Sequence, residues 1–135
     1  MSKVIFLSIP VSGHINPTIG MIKELIKRGN EVIYYADLEN RSKIEDSGAE
    51  FRDYEVDIFQ DIDGADLREI KDAIDILCYM NIDTLKISKQ VIDAKLNEIA
   101  QEKPDYIIHD AYAYWGKKIA QILMIPAVSS ITTPA

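Results

Sequence analysis

The chain has 135 residues, 47% of them hydrophobic, with 22 acidic against 15 basic side chains and a net charge of −7 at pH 7. That length and apolar content suit one ordinary domain with a real core, while the acidity argues against nucleic acid or an anionic membrane as partner. No apolar stretch approaches the roughly 20 residues of a bilayer span and no secretory pattern opens the chain, so a cytoplasmic location is expected; the single cysteine, Cys78, excludes an internal disulfide and a cysteine metal site and reads as a small core side chain.

Val4 to Ile9 is short, β-branched and aromatic, the pattern of a strand buried on both faces of a parallel sheet. It opens into Pro10-Val11-Ser12-Gly13-His14-Ile15-Asn16-Pro17-Thr18, read as a loop carrying His14 and ending at an Asn16 N-cap with Pro17 as first helical residue. The helix then runs to about Arg28, with Ile19, Ile22, Leu25 and Ile26 on the sheet side, Lys23, Glu24, Lys27 and Arg28 toward water, and Gly29 as its stop. Glu31 to Ala36 reads as a second strand, Glu39 to Ser47 as a short helix ending at Gly48, and Glu50 to Tyr54 as a third strand.

Asp53, Glu55, Asp57, Asp61, Asp63 and Asp66 follow without an intervening Lys or Arg, which suggests a solvated connection. A calcium loop centred on Gly64 fails, because Phe59 and Ile70 would occupy ligand positions. Two amphipathic helices are expected next, one marked by Leu67, Ile70, Ile74 and Leu77, the other by Leu85, Ile92, Leu96 and Ile99, with Asn81-Ile82-Asp83-Thr84 as break and cap. Pro104 to His109 is the fourth strand, Tyr112 to Met124 a helix, and Pro126 to Ile131 the fifth strand. The chain stops at Thr132-Thr133-Pro134-Ala135, where a functional loop would begin, so a fragment of a longer protein is expected.

Alternating strands and helices imply a doubly wound parallel α/β sheet, Rossmann-like in form. In strand order 3-2-1-4-5 the first and fourth strands are neighbours, and their C-terminal ends form the expected ligand crevice. One loop there carries Ser12, Gly13 and His14, and the other carries Asp110, Tyr112, Tyr114 and Trp115. An imidazole, with an ordinary pKa of about 6.5, can take a proton from an attacking hydroxyl, and a carboxylate on its other nitrogen fixes the tautomer. Gly13 lets the backbone approach a ligand or take a positive φ. The plainer alternatives are a surface histidine at His14 and an N-cap at Asp110, which could also serve both ends. His109 reads as a sheet residue, and Tyr112, Tyr114 and Trp115 as packing residues unless one lines an apolar pocket. No G-x-G-x-x-G follows the first strand, only Gly13 and then Gly20, and neither a phosphate-binding G-x-x-x-x-G-K-[ST] nor a G-x-S-x-G elbow is present.

Two stretches, Ser8-Ile9-Pro10-Val11-Ser12-Gly13-His14-Ile15-Asn16-Pro17-Thr18 and Pro104-Asp105-Tyr106-Ile107-Ile108-His109-Asp110 continuing to Ile125-Pro126-Ala127-Val128-Ser129, carry a likeness across the whole chain. With them the chain resembles the N-terminal domain of family-one GT-B glycosyltransferases, especially the bacterial macrolide glycosyltransferase group that uses UDP-glucose. The resemblance implies inverting transfer of a hexose, glucose being expected, from a UDP-sugar to a hydroxyl of an apolar small molecule such as a macrolide or phenolic natural product. His14 would deprotonate the acceptor and Asp110 would support it, with no metal and no cofactor besides the UDP-sugar co-substrate. Ser12, Gly13, Asn16, Tyr79 and Tyr112 are the substrate-binding candidates it suggests, and Phe59, Leu77 and Met80 are further acceptor contacts or core residues. The family's C-terminal domain, which binds most of the UDP-sugar, is expected to lie outside this chain, leaving the isolated chain inactive and its exposed apolar surface open to self-association. The competing readings are a non-catalytic module completing a two-chain glycosyltransferase and a small dinucleotide-binding module, the latter disfavoured by the missing glycines.

Overall fold

The computed structural model describes residues 2–9, 12–56 and 73–131, with the backbone alone for Ser12 and residues 73–85. In chain order it contains β1 (Lys3–Leu7), α1 (Ser12–Lys27), β2 (Glu31–Ala36), a 3-10 turn (Leu38–Asn40) running into α2 (Arg41–Asp46), β3 (Glu50–Asp53), α3 (Ala73–Glu102), β4 (Tyr106–Asp110), α4 (Tyr114–Leu123) and β5 (Ala127–Ser130). The five strands form one sheet in the order β3-β2-β1-β4-β5, and each neighbouring pair is parallel. The doubly wound α/β arrangement expected from the alternation is therefore present, with β1 at the point where the strand order reverses.

Period-two alternation divides the core between the sheet's two faces. Val4 and Phe6 of β1, Tyr34 of β2 and Ile108 of β4 pack with Ile15 and Ile22 of α1 and Ile44 of α2. Ile5 and Leu7, Tyr35 and Ile107 point the other way and pack with Val91 and Ile99 of α3 and Ile119 of α4. Val4, Ile5, Phe6 and Leu7 are all wholly buried, which is why this strand reads as a continuous apolar run rather than an alternating one. Gly29, at φ 91°, follows α1 in the left-handed conformation that ends helices.

Two expectations from the sequence are corrected. α1 begins at Ser12 rather than after Asn16, so Asn16 is not its cap and Pro17 lies inside the helix. As the sixth residue of α1, Pro17 lies past the first four N–H groups that have no intrahelical partner, so it deprives the Gly13 carbonyl of its usual bond. The second correction concerns Asn81-Ile82-Asp83-Thr84, which interrupts nothing: α3 is a single 30-residue helix. That stretch has neither glycine nor proline, and the modest propensity deficit of Asn, Asp and Thr is overridden by the helix on either side. Leu67, Ile70 and the acidic residues from Asp57 to Asp66 lie outside the described residues, and the side chains of Ile74, Leu77 and Cys78 do so too.

α4 is pressed unusually close to β4. A Cβ at Gly116 would stand 2.3 Å from the His109 Cβ and 2.8 Å from its Cγ, so only glycine permits this approach. His109 is thus a buried sheet residue, as its position in the strand pattern suggests, with Nδ1 2.8 Å from the Asp110 carbonyl oxygen. Trp115 beside it is a packing residue: its ring meets Tyr54 edge-on at 5.8 Å, and its Nε1–H donates to the Tyr54 hydroxyl at 3.1 Å. The Tyr54 hydroxyl in turn donates to the Ser8 carbonyl at 2.8 Å. This chain of bonds ties α4 to the backbone that leaves β1 toward α1.

Candidate active site

Leu7 of β1 lies in register with His109 of β4, so the C-terminal ends of the two strands lie side by side. Asp110, the last residue of β4, follows Ile108 on the face covered by α1, and its side chain is 1% exposed. His14 is the third residue of α1 and stands over that carboxylate, with His14 Nδ1 2.8 Å from Asp110 Oδ2. The other carboxylate oxygen, Oδ1, accepts the Tyr112 backbone N–H at 2.8 Å. Residues 96 apart in sequence thus meet because two parallel strands end together and one helix starts above them.

The hydrogen-bond chemistry fixes the tautomer. An ionised carboxylate only accepts, so the proton shared with Asp110 belongs to His14 Nδ1, and the basic lone pair of the neutral ring is on Nε2. The His14 side chain is 19% exposed, which gives the ring a route to a ligand while its partner stays buried. A carboxylate beside the first turn of α1 also benefits from the helix dipole. Tyr112 approaches the imidazole edge-on, with ring centroids 5.9 Å apart. The pair can therefore accept a proton at Nε2 and stabilise the resulting imidazolium.

The other predicted residues are placed as follows. Gly13 is exposed in the first helical turn, with open space around an added Cβ; of the two roles offered for it, the positive φ does not occur. Asn16 is exposed three residues further on, close to one helical turn. Tyr112 adjoins the pair, whereas Tyr114 starts α4 with 45% exposure. The side chains of Ser12, Leu77, Tyr79 and Met80, and the whole of Phe59, lie outside the described residues. Asp110 holds the turn before α4 through Tyr112 rather than capping the helix, whose N-cap is Ala113.

Sequence reasoning missed a buried hydroxyl layer beneath His14. Ser8 is wholly buried, with Oγ donating to the Ile9 carbonyl at 3.0 Å. Thr18 Oγ1 donates to the Ile15 carbonyl at 2.6 Å and lies 2.9 Å from the Tyr34 hydroxyl. Burial holds the Tyr34 phenol above its ordinary range, against the opposing hydrogen bonds from Thr18 and Ser8. The only sequence signal was the position of Thr18 one turn after His14. Among the described residues, no three His, Cys, Asp or Glu side chains gather as a metal site would require, and no helix is long and apolar enough to cross a membrane.

No protein-family profile matches the chain. It is 37% identical over 135 residues to the protein named uncharacterized UDP-glucosyltransferase YojK of Bacillus subtilis (strain 168), covering 98% of this chain and 32% of that protein. Among solved structures, the calicheamicin glycosyltransferase CalG4 shares the fold with a TM-score of 0.78 at 19% identity, over 97% of this chain and 32% of its own. The spinosyn rhamnosyltransferase SpnG, solved with spinosyn aglycone, superposes with a TM-score of 0.76 at 16% identity, over 98% of this chain and 34% of its own. The chain spans about a third of the length of these relatives. Its likeness is to the N-terminal part of glycosyltransferases with the GT-B fold.

Proposed function

We propose that this chain is the acceptor-side half of an inverting glycosyltransferase that moves a hexose from a UDP-sugar, UDP-glucose by preference, to a hydroxyl on an apolar small molecule of macrolide or phenolic type. The observation that carries the reading is the His14–Asp110 pair, 2.8 Å apart at the switch point of the sheet with the carboxylate buried. As the acceptor oxygen attacks the anomeric carbon, its proton passes to His14 Nε2. The bond from that carbon to the nucleoside diphosphate breaks, the electron pair leaves with the diphosphate, and attack from the opposite side inverts the centre. Asp110 stays ionised and stabilises the imidazolium.

The reaction so written uses no metal, and His14, Asp110 and Tyr112 supply this chain's side of it. The name of YojK supports a UDP-glucose donor, and SpnG, similar in fold, is solved with an aglycone, which is consistent with a small-molecule acceptor. Binding of the nucleotide is assigned to a second half of the enzyme. Met124 at 91% exposure, Val128 at 51% and Ile131 at 74% favour association of this end of the sheet with other polypeptide or with a second copy.

The test is His14→Ala in the assembled enzyme. Transfer should fall by about 100-fold or more, the scale of a lost general base, with the fold intact. Substantial remaining activity would remove His14 as the base.

A further inference from the structure

His14 owes its position to a helical turn that is poorly held by its own backbone. Pro17 lies inside α1 and has no N–H, so the Gly13 carbonyl cannot receive the usual bond from four residues on. The turn that carries His14 is therefore short of one intrahelical bond. Thr18 sits four residues after His14, on the same side of α1, and is 2% exposed. Its hydroxyl donates to the Ile15 carbonyl at 2.6 Å, and Thr18 Oγ1 also lies 2.9 Å from the Tyr34 hydroxyl, a hydrogen bond in which either oxygen can be the donor.

Tyr34 is itself fixed. It is wholly buried in β2, lies in register with Phe6 of β1, and stacks on that ring at 4.5 Å with 5° between planes. A phenol so placed has no freedom to follow a moving helix. Its hydroxyl defines a point at which α1 must meet the sheet.

We propose that Thr18 and Tyr34 are positioning residues for His14: their hydrogen bond sets the height and rotation of the first turns of α1 over the sheet, and so holds Nδ1 on the Asp110 carboxylate. The proposal rests on His14 being the base held by Asp110, and it adds a second anchor on a different strand. Asp110 fixes the ring from β4, while Tyr34 fixes the helix from β2. A merely structural hydroxyl pair would contribute to stability and leave the imidazole tautomer unchanged.

The experiment follows the His14 ring nitrogens by NMR in the whole 135-residue chain, for the wild type and for Thr18→Val, Thr18→Ser, Tyr34→Phe and Asp110→Asn, with thermal midpoints measured in parallel. Thr18→Val keeps the shape and removes the hydroxyl, and Tyr34→Phe keeps the ring and its stack on Phe6. Both should lose the Nδ1–H tautomer preference and the protected Nδ1 proton, while Thr18→Ser should retain them. If Tyr34→Phe and every folded Thr18 variant keep the wild-type His14 spectrum, whatever their midpoints, the proposal is overturned. Should Thr18→Val not fold, Tyr34→Phe decides alone, since it removes only the phenol oxygen and keeps the ring that stacks on Phe6. Asp110→Asn separates the two ideas: if it too leaves the tautomer unchanged, the underlying pair is wrong, whereas a response to Asp110→Asn alone refutes only the positioning role.

Discussion

Asp110→Asn is the sharpest perturbation of the proposed chemistry, because it changes one atom in a site with little room to adjust. The side chain is 1% exposed and is held on one oxygen by the Tyr112 N–H at 2.8 Å and on the other by His14 Nδ1 at 2.8 Å. An asparagine carbonyl can keep the Tyr112 bond, and the amide NH2 then faces His14. Two donors cannot share that contact, so Nδ1 must become the acceptor and the ring proton moves to Nε2. The base is then lost although every side chain stays in place. The equivalent exchange in a serine-protease triad lowers turnover about 10,000-fold, which corresponds to about 5 kcal/mol in the barrier. Stability should change much less, by about 1–3 kcal/mol for one altered buried hydrogen bond. Transfer rates in the assembled enzyme and urea midpoints on this chain separate the two quantities. A rate loss below about tenfold with a normally folded variant would refute the tautomer argument.

Two further outcomes concern the scaffold. Gly116→Ala introduces a Cβ 2.3 Å from the His109 Cβ, so α4 and β4 must separate and stability should fall by about 1–3 kcal/mol or more, read from urea unfolding; a loss under about 0.5 kcal/mol would mean the helix can shift freely. Burial raises the phenols of Tyr34, Tyr35 and Tyr54 above their ordinary value of 10.0. The folded state therefore binds these protons more tightly than the unfolded chain, so their contribution is full below about pH 10 and declines above it, by up to about 1.4 kcal/mol per pH unit for each tyrosine. Urea midpoints between about pH 9 and pH 11 should fall accordingly, and Tyr54→Phe should flatten that fall; midpoints that stay level would contradict the burial of these hydroxyls.

The parts of this fold that follow local rules were legible in the sequence. Val4 to Leu7 and Glu31 to Ala36 announce buried strands by composition, and alternation with helices fixes a parallel sheet whose order brings β1 beside β4. From that topology alone, His14 and Asp110 are neighbours, although 95 residues separate them in the chain. The start of α1 was misplaced because Asn16 and Pro17 are strong terminal signals, and one extra turn on their N-terminal side costs little when it docks on the sheet. The break expected at Asn81 to Thr84 does not occur, because polar residues of middling propensity do not stop a helix that continues on both sides. The Thr18–Tyr34 and Trp115–Tyr54–Ser8 bonds and the Gly116–His109 contact depend on distances between packed elements, for which a single sequence carries no periodic signal.

The central claim is that His14 Nε2 receives the proton of an acceptor hydroxyl, and the most direct measurement is an NMR titration of the His14 ring nitrogens in this chain with a phenolic acceptor and, separately, with its methyl ether. The account predicts that the phenol shifts Nε2 while Nδ1 keeps its Asp110 signature, and that the ether, equal in shape but without the proton, leaves Nε2 where it was. Equal responses to both compounds, or none at Nε2 from any hydroxylated ligand that binds, would contradict it.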